Sequence, residues 1–312
     1  MGTHCQKLCL DISDKNELNN SRPQKASPFC LTDAHAFNTP AIIKHILLIQ
    51  SYFRGFKSRK QIRFEKYGVQ FTNVRIKHDV VNLGSHASYT GEWMFGLRDG
   101  YGKQVWADGS TYDGYWSRDF TNGKGKLLHP DGSWYEGDWA NDKAEGYGKH
   151  MRADQSYYIG EWKDDIENGK GEEHWQNGSS YTGSFCNGLK HGKGKIIFPD
   201  KSVYEGEFKN NAIEGEGRRI FQDGKIYVGK WIENKMQGNG ILRWPDGREY
   251  RGEFVADKRD GNGNFNWGDG RKYIGKWKNG CQHGEGTYYS NEDKNGKMGM
   301  WENGKRIRWL EE

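Results

Sequence analysis

The 312-residue sequence predicts a mainly β protein: an elongated rod made of one antiparallel sheet of consecutive β-hairpins, preceded by one long amphipathic α-helix. Three observations predict it. The chain holds 44 Gly, 13 Trp and 17 Tyr but only 34% hydrophobic residues, a balance that suits short strands and tight turns better than helices or a thick aliphatic core. A tyrosine recurs every 23 residues from Tyr89 to Tyr273 without a slip, the mark of a repeat architecture. Upstream of that array, residues 39–67 carry apolar side chains at a spacing of three to four, the period of one helix face.

Taken in chain order, residues 1–38 are polar and without sustained periodicity, as in "NNSRPQKASP" from Asn19, which predicts a flexible N-terminal arm. Gly2 and Cys5 suit acylation, but Gln6 stands where the myristoylation pattern wants Ser or Thr, and an ordinary terminus is the better reading. Thr39-Pro40 then reads as an N-cap with proline at the first helical position, and Gly68 as the stop. Between them lies a helix of about 40 Å. Ile42, Ile46, Ile49, Phe53 and Phe56 form its apolar stripe, and seven Lys and Arg oppose the single acid Glu65.

A basic amphipathic helix has three readings: a site for an EF-hand partner, a membrane-surface helix, or a helix packed on the open end of the sheet. The order Ile49-Gln50, Arg54-Gly55, Arg59 fits IQxxxRGxxxR at every defined position and resembles the IQ motif. That resemblance implies binding of calmodulin or a calmodulin-like EF-hand protein through Ile46, Ile49, Gln50, Phe53, Arg54, Gly55, Phe56 and Arg59. Ile49 is the apolar anchor and Gln50 the hydrogen-bonding group. Gly55 permits close approach, Arg54 and Arg59 meet acidic groups, and Phe53 and Phe56 enter Met-rich pockets. Residues 68–88, with the alternating pieces "VQFTNVRI" and "DVVNLGS", read as lead-in strands that begin the sheet and cover its edge.

Residues 89–296 hold nine copies of the 23-residue unit. With Tyr as position 0, Gly stands at +2, Trp or Phe at +4, and a GxG at +11 and +13, such as Gly100/Gly102. Residues at spacing two share a strand face, so Tyr, Gly and Trp lie together, and the Gly leaves a gap for an aromatic of a neighbouring strand. Asp108-Gly109, Asp131-Gly132 and their equivalents supply hairpin turns. Asp154-Gln155 and Asp200-Lys201 depart from that pair and leave room for another turn type. Two strands per copy at about 4.8 Å give nine copies a span of about 85 Å. Residues 297–312 read as a partial tenth copy, with Gly299 and Trp301, and a C-terminal cap. "YTGEW" from Tyr89 and "YEGEF" from Tyr204, within the YxGxW…GxG…DG frame, resemble the MORN repeat.

Function classes narrow accordingly. Residues 1–88 hold 13 Lys and Arg against 6 Asp and Glu, while the rest holds 34 against 36. The near-neutral array excludes a nucleic-acid platform and disfavours membrane contact. Five cysteines without a CxxC pair read as a reduced, intracellular chain with no zinc site. No Ser/His/Asp or Cys/His set and no phosphate-cradling loop stands out, and the GxG pairs lack a following helix, so neither an enzyme nor a cofactor is expected. MORN arrays accompany kinases and a lysine methyltransferase elsewhere, but only 88 residues precede this one. The resemblance implies a non-catalytic scaffold in a cilium, flagellar axoneme or other cytoskeletal assembly. Its rod would dock axonemal or cytoskeletal proteins, and its aromatic, glycine-studded face would suit an extended peptide or another MORN protein. The rival reading is a membrane-associated tether on a phospholipid surface.

Overall fold

The computed structural model describes residues 73–292 and 295–310. The expected arm and the helix expected over 39–67 lie outside the described residues. Within them the chain forms one open antiparallel sheet of 21 strands, from β1 (Ile76–Gly84), β2 (Ala87–Met94), β3 (Leu97–Val105) and β4 (Thr111–Ser117) to β21 (Lys305–Trp309). Each strand pairs with its predecessor and its successor in sequence. β1 and β21 are therefore the two edges. Of "VQFTNVRI", residues 69–72 lie outside the described residues, residues 73–75 are not in a strand, and Ile76 opens β1, which also takes in most of "DVVNLGS".

Two kinds of turn alternate. The first, at +6 and +7, has both residues at positive φ, as in Arg118-Asp119 (49° and 71°), Asn187-Gly188 (50° and 75°) and Ala256-Asp257 (45° and 69°). This is the type I′ geometry that matches strand twist. It places strand entry at +8, so the GxG sits inside the second strand of each hairpin rather than opening it. The turns also lock onto one another. The Asp142 backbone N–H donates to the Thr121 carbonyl at 3.1 Å, and Asp142 Oδ1 accepts the Thr121 N–H at 2.7 Å. Asp165 with Ala144 and Asn234 with Ile213 repeat the arrangement one copy apart.

The second turn carries the expected Asp-Gly. Gly132 N–H donates to the His129 carbonyl at 3.0 Å, and Asp131 Oδ1 accepts the Ser133 N–H at 2.9 Å, an Asx arrangement that explains the aspartate. Gln155 and Lys201 occupy the glycine position with φ of 66° and 68° and donate to Arg152 and Phe198 carbonyls. The two departing copies thus keep the same turn, with a side chain held in the left-handed region.

The register aligns the glycines across the whole sheet. Gly91 faces Gly102, Gly102 faces Gly114, Gly114 faces Gly125, and the row runs on to Gly286 and Gly299. The gap at each +2 glycine is filled by the tyrosine of its own strand, whose ring also lies over the facing glycine of the next strand. A Cβ on Gly102 would run into the Tyr89 hydroxyl, and one on Gly125 into that of Tyr112. Only glycine lets the ring lie flat there.

Candidate binding surface

One face of the sheet is consumed by its own packing. Each Tyr ring meets the Trp or Phe at +4 of its own copy and that of the next copy edge to face, at centroid distances of 5.0–5.6 Å. Such contacts contribute about 0.5–1.5 kcal/mol each beyond burial. The ladder runs unbroken from Trp93 to Trp301, and its rings are 0–5% exposed. Burial pushes the tyrosine hydroxyls well above their ordinary pKa, so they stay protonated and donate to the +3 carbonyl, as Tyr135 does to Asp138 at 3.0 Å. Trp116, Trp139 and Trp162 donate Nε1 to Gly102, Gly125 and Gly148 of the preceding copy at 3.0–3.1 Å. The aromatic face expected to dock partners is thus an internal core whose rings are already paired.

Side chains at +9, +15 and +17 pack against this ladder. The Arg98 guanidinium lies 4.1 Å from the Trp116 ring and pairs with Asp119 at 2.9 Å. In the middle of the array the same positions hold a buried ionic cluster. Arg152 pairs with Glu167 and Glu173 at 3.0 and 3.1 Å, and Lys190 with Glu173 at 2.8 Å. Burial and the neighbouring Glu173 charge push the Glu167 carboxyl up to about 7. Four opposed charges satisfy one another there. They hold the register of neighbouring copies and present no open acid or nucleophile.

The opposite face is open, and its copies differ. Positions +3, +12 and −1 project there. In the first three copies they include Tyr101, Tyr115 and Tyr147, which are 51%, 52% and 56% exposed, with partly buried Trp134 and Tyr157. Tyr101 on β3 faces Tyr115 on β4, edge to face at 5.3 Å. Where a carboxylate stands at +3, it accepts the +12 N–H at the bulge, as Glu92 does from Tyr101 at 2.8 Å and Asp138 from Tyr147 at 3.0 Å. Tyr115 takes that place in the second copy. Lys126 and Lys149 reach over Trp134 and Tyr157 at 4.1 and 4.5 Å. A shallow concavity of about 820 Å³ lies among these side chains. The repeat reading missed this surface because it followed the aromatics in frame. The out-of-frame rings, on the other strand parity, were the available signal.

The residues expected to bind an EF-hand partner, Ile46, Ile49, Gln50, Phe53, Arg54, Gly55, Phe56 and Arg59, all lie outside the described residues. Among the described residues no group of His, Cys, Asp or Glu side chains is arranged to hold a metal ion.

The MORN repeat family model matches residues 89–111, 112–134, 135–157, 158–180, 181–203, 204–226, 227–247, 250–270 and 273–294. A comparison with curated proteins finds no match. Among solved structures, the SAS-4 (dCPAP) TCP domain of Drosophila melanogaster, in complex with a proline-rich motif of Ana2, is 18% identical. That match covers 50% of this chain and 86% of that one, with a TM-score of 0.33. The TCP10 domain of Danio rerio CPAP, in complex with a STIL peptide, is 15% identical over 77% of this chain and all of that one, with a TM-score of 0.35. Virginiamycin B lyase from Staphylococcus aureus is 13% identical over 76% of this chain and 73% of that one, with a TM-score of 0.15.

Proposed function

Because this chain belongs to the MORN-repeat family, we propose that it is a non-catalytic scaffold. Its repeat sheet docks a protein partner, and its N-terminal IQ segment recruits calmodulin or a calmodulin-like EF-hand protein. One observation carries the scaffold reading. The regular residues of every described copy are spent on the sheet itself, so what the array offers a partner is an extended surface. The recruitment reading rests on the complete Ile49-Gln50…Arg54-Gly55…Arg59 spacing. We place the protein in a ciliary axoneme or another cytoskeletal assembly on the strength of the family's scaffold members.

The test uses the full chain. Wild-type protein is expected to bind calmodulin in the presence of chelator. Ile49→Glu should abolish binding by forcing a charge into an apolar pocket, and Arg54→Ala should weaken it. Equal binding by wild type and Ile49→Glu would overturn the assignment. The excess of Lys and Arg in residues 1–88 favours one other reading, a tether to anionic membrane. In liposome flotation that tether reading requires the full chain to float with acidic vesicles. The scaffold reading expects it to stay behind.

A further inference from the structure

The open face of the first three copies carries rings that the fold does not use. At the corresponding positions +3 and +12 of the later copies stand charged, amide or hydroxyl side chains, such as Glu161, Lys170, Ser184 and Asn239. Tyr101, Tyr115 and Tyr147 remain more than half exposed. Apolar surface gathered in one place and kept in water is a mark of binding rather than folding.

The chemistry of the patch selects its occupant. Two of the nearby lysines are matched by carboxylates, Lys124 by Asp138 at 2.7 Å and Lys126 by Glu136 at 3.0 Å, and Lys149 lies over the Trp134 and Tyr157 rings. A strongly acidic or basic partner therefore gains little there. Strands β3 and β4, and β5 (Phe120–Leu128), β6 (Trp134–Ala140), β7 (Lys143–Met151) and β8 (Tyr157–Lys163), are all interior. Their backbone groups are paired on both sides, so no strand can be added. The ligand must need no backbone ladder and must offer flat apolar rings.

We propose that this face docks a proline-rich segment in the polyproline II conformation, lying across the strands. Such a segment has no internal hydrogen bonds, and its prolines lack an N–H to satisfy. Its rings stack on aromatic side chains, as aromatic-lined grooves for proline-rich peptides do. The spacing agrees. Alternate strands lie about 9.6 Å apart, and one polyproline II turn rises about 9.3 Å. Trp134 on β6 and Tyr157 on β8 share a row two strands apart, with the Lys149 ammonium 5.6 and 4.5 Å from their rings. Tyr101 on β3 and Tyr147 on β7 share a second row at twice that interval. The Tyr115 and Tyr147 hydroxyls and Lys149 supply donors to the peptide carbonyls.

This inference rests on the scaffold reading and names the class of partner docked by the sheet. The test is isothermal titration of the full chain with a synthetic peptide of about ten prolines, and with a glycine–serine peptide of equal length as control. Saturable binding of the proline peptide alone is expected. Tyr115→Ala and Tyr147→Ala should each weaken it about fivefold or more while calmodulin binding is unchanged. Both rings are half exposed, so an unchanged circular dichroism spectrum is expected of each variant. Absence of saturable binding, equal affinity for the control peptide, or unchanged affinity in both variants would overturn the polyproline assignment. Failure here with calmodulin binding intact leaves the scaffold reading standing.

Discussion

The tyrosine slot gives the sharpest test of how each copy is built. Consider Gly148→Ala in β7. Gly148 has no positive φ, so the backbone accepts alanine, and the three atoms nearest an added Cβ all belong to Tyr135, with Cε2 at 2.6 Å. The ring must leave its slot. Tyr135 is 2% exposed, lies 5.1 Å from both Trp139 and Trp162, and donates to the Asp138 carbonyl. Burying an aromatic ring of about 150–250 Å² at about 25 cal/mol per Å² stabilises by about 4–6 kcal/mol. The ring contacts and the hydrogen bond add about 2–4 kcal/mol. Partial relaxation returns some of this, so the expected local destabilisation is about 3–4 kcal/mol. Because repeats couple mainly to their neighbours, the assay is hydrogen exchange of β6 and β7, which reads local opening. A double-mutant cycle isolates the cause: in a Tyr135→Ala background, Gly148→Ala should be neutral or stabilise by up to about 1 kcal/mol. The same cost in both backgrounds would refute the clash as the reason for the glycine.

Three further outcomes follow from local features. Trp93 Nε1 is buried without a hydrogen-bond partner, whereas Trp116 Nε1 donates to Gly102; Trp93→Phe should cost less than Trp116→Phe by about 1 kcal/mol in denaturation. Gln155 and Lys201 hold left-handed backbone that glycine adopts freely, so Gln155→Gly and Lys201→Gly should each raise stability by about 0.5–1 kcal/mol, seen as a higher urea midpoint. Glu167, with its carboxyl held near 7 against an ordinary 4.5, binds its proton more tightly folded than unfolded. Its contribution is therefore full at low pH and is lost as pH rises from about 4.5 to about 7. Glu167→Gln should flatten that slope by about 1–3 kcal/mol across the window, measured as stability against pH.

The array was legible because its constraints are steric and recur. Tyr, Gly and GxG can be read at fixed spacing since no other residue fits under the ring, as Gly102 beneath Tyr89 shows. The two-residue turns were readable only where Asn187-Gly188 or Asn279-Gly280 announces them. In Arg118-Asp119 and Ala256-Asp257 the same geometry is held by the preceding copy, through the Arg98 and Met236 N–H groups bonded to Asp119 and Asp257, and pair preference alone does not reveal it. The exposed tyrosines escaped for a different reason. Composition counts Tyr101 and Tyr89 alike, while strand parity buries one in the core and leaves the other in water.

We propose a division of labour in which the repeats supply a docking sheet and the segment from Ile46 to Arg59 recognises an EF-hand protein. Hydrogen exchange of the full chain, with and without calmodulin in chelator, tests it most directly. New protection confined to Ile46–Arg59, with residues 89–296 unchanged, is the predicted result. Protection that appears in the repeats, or nowhere, would contradict it.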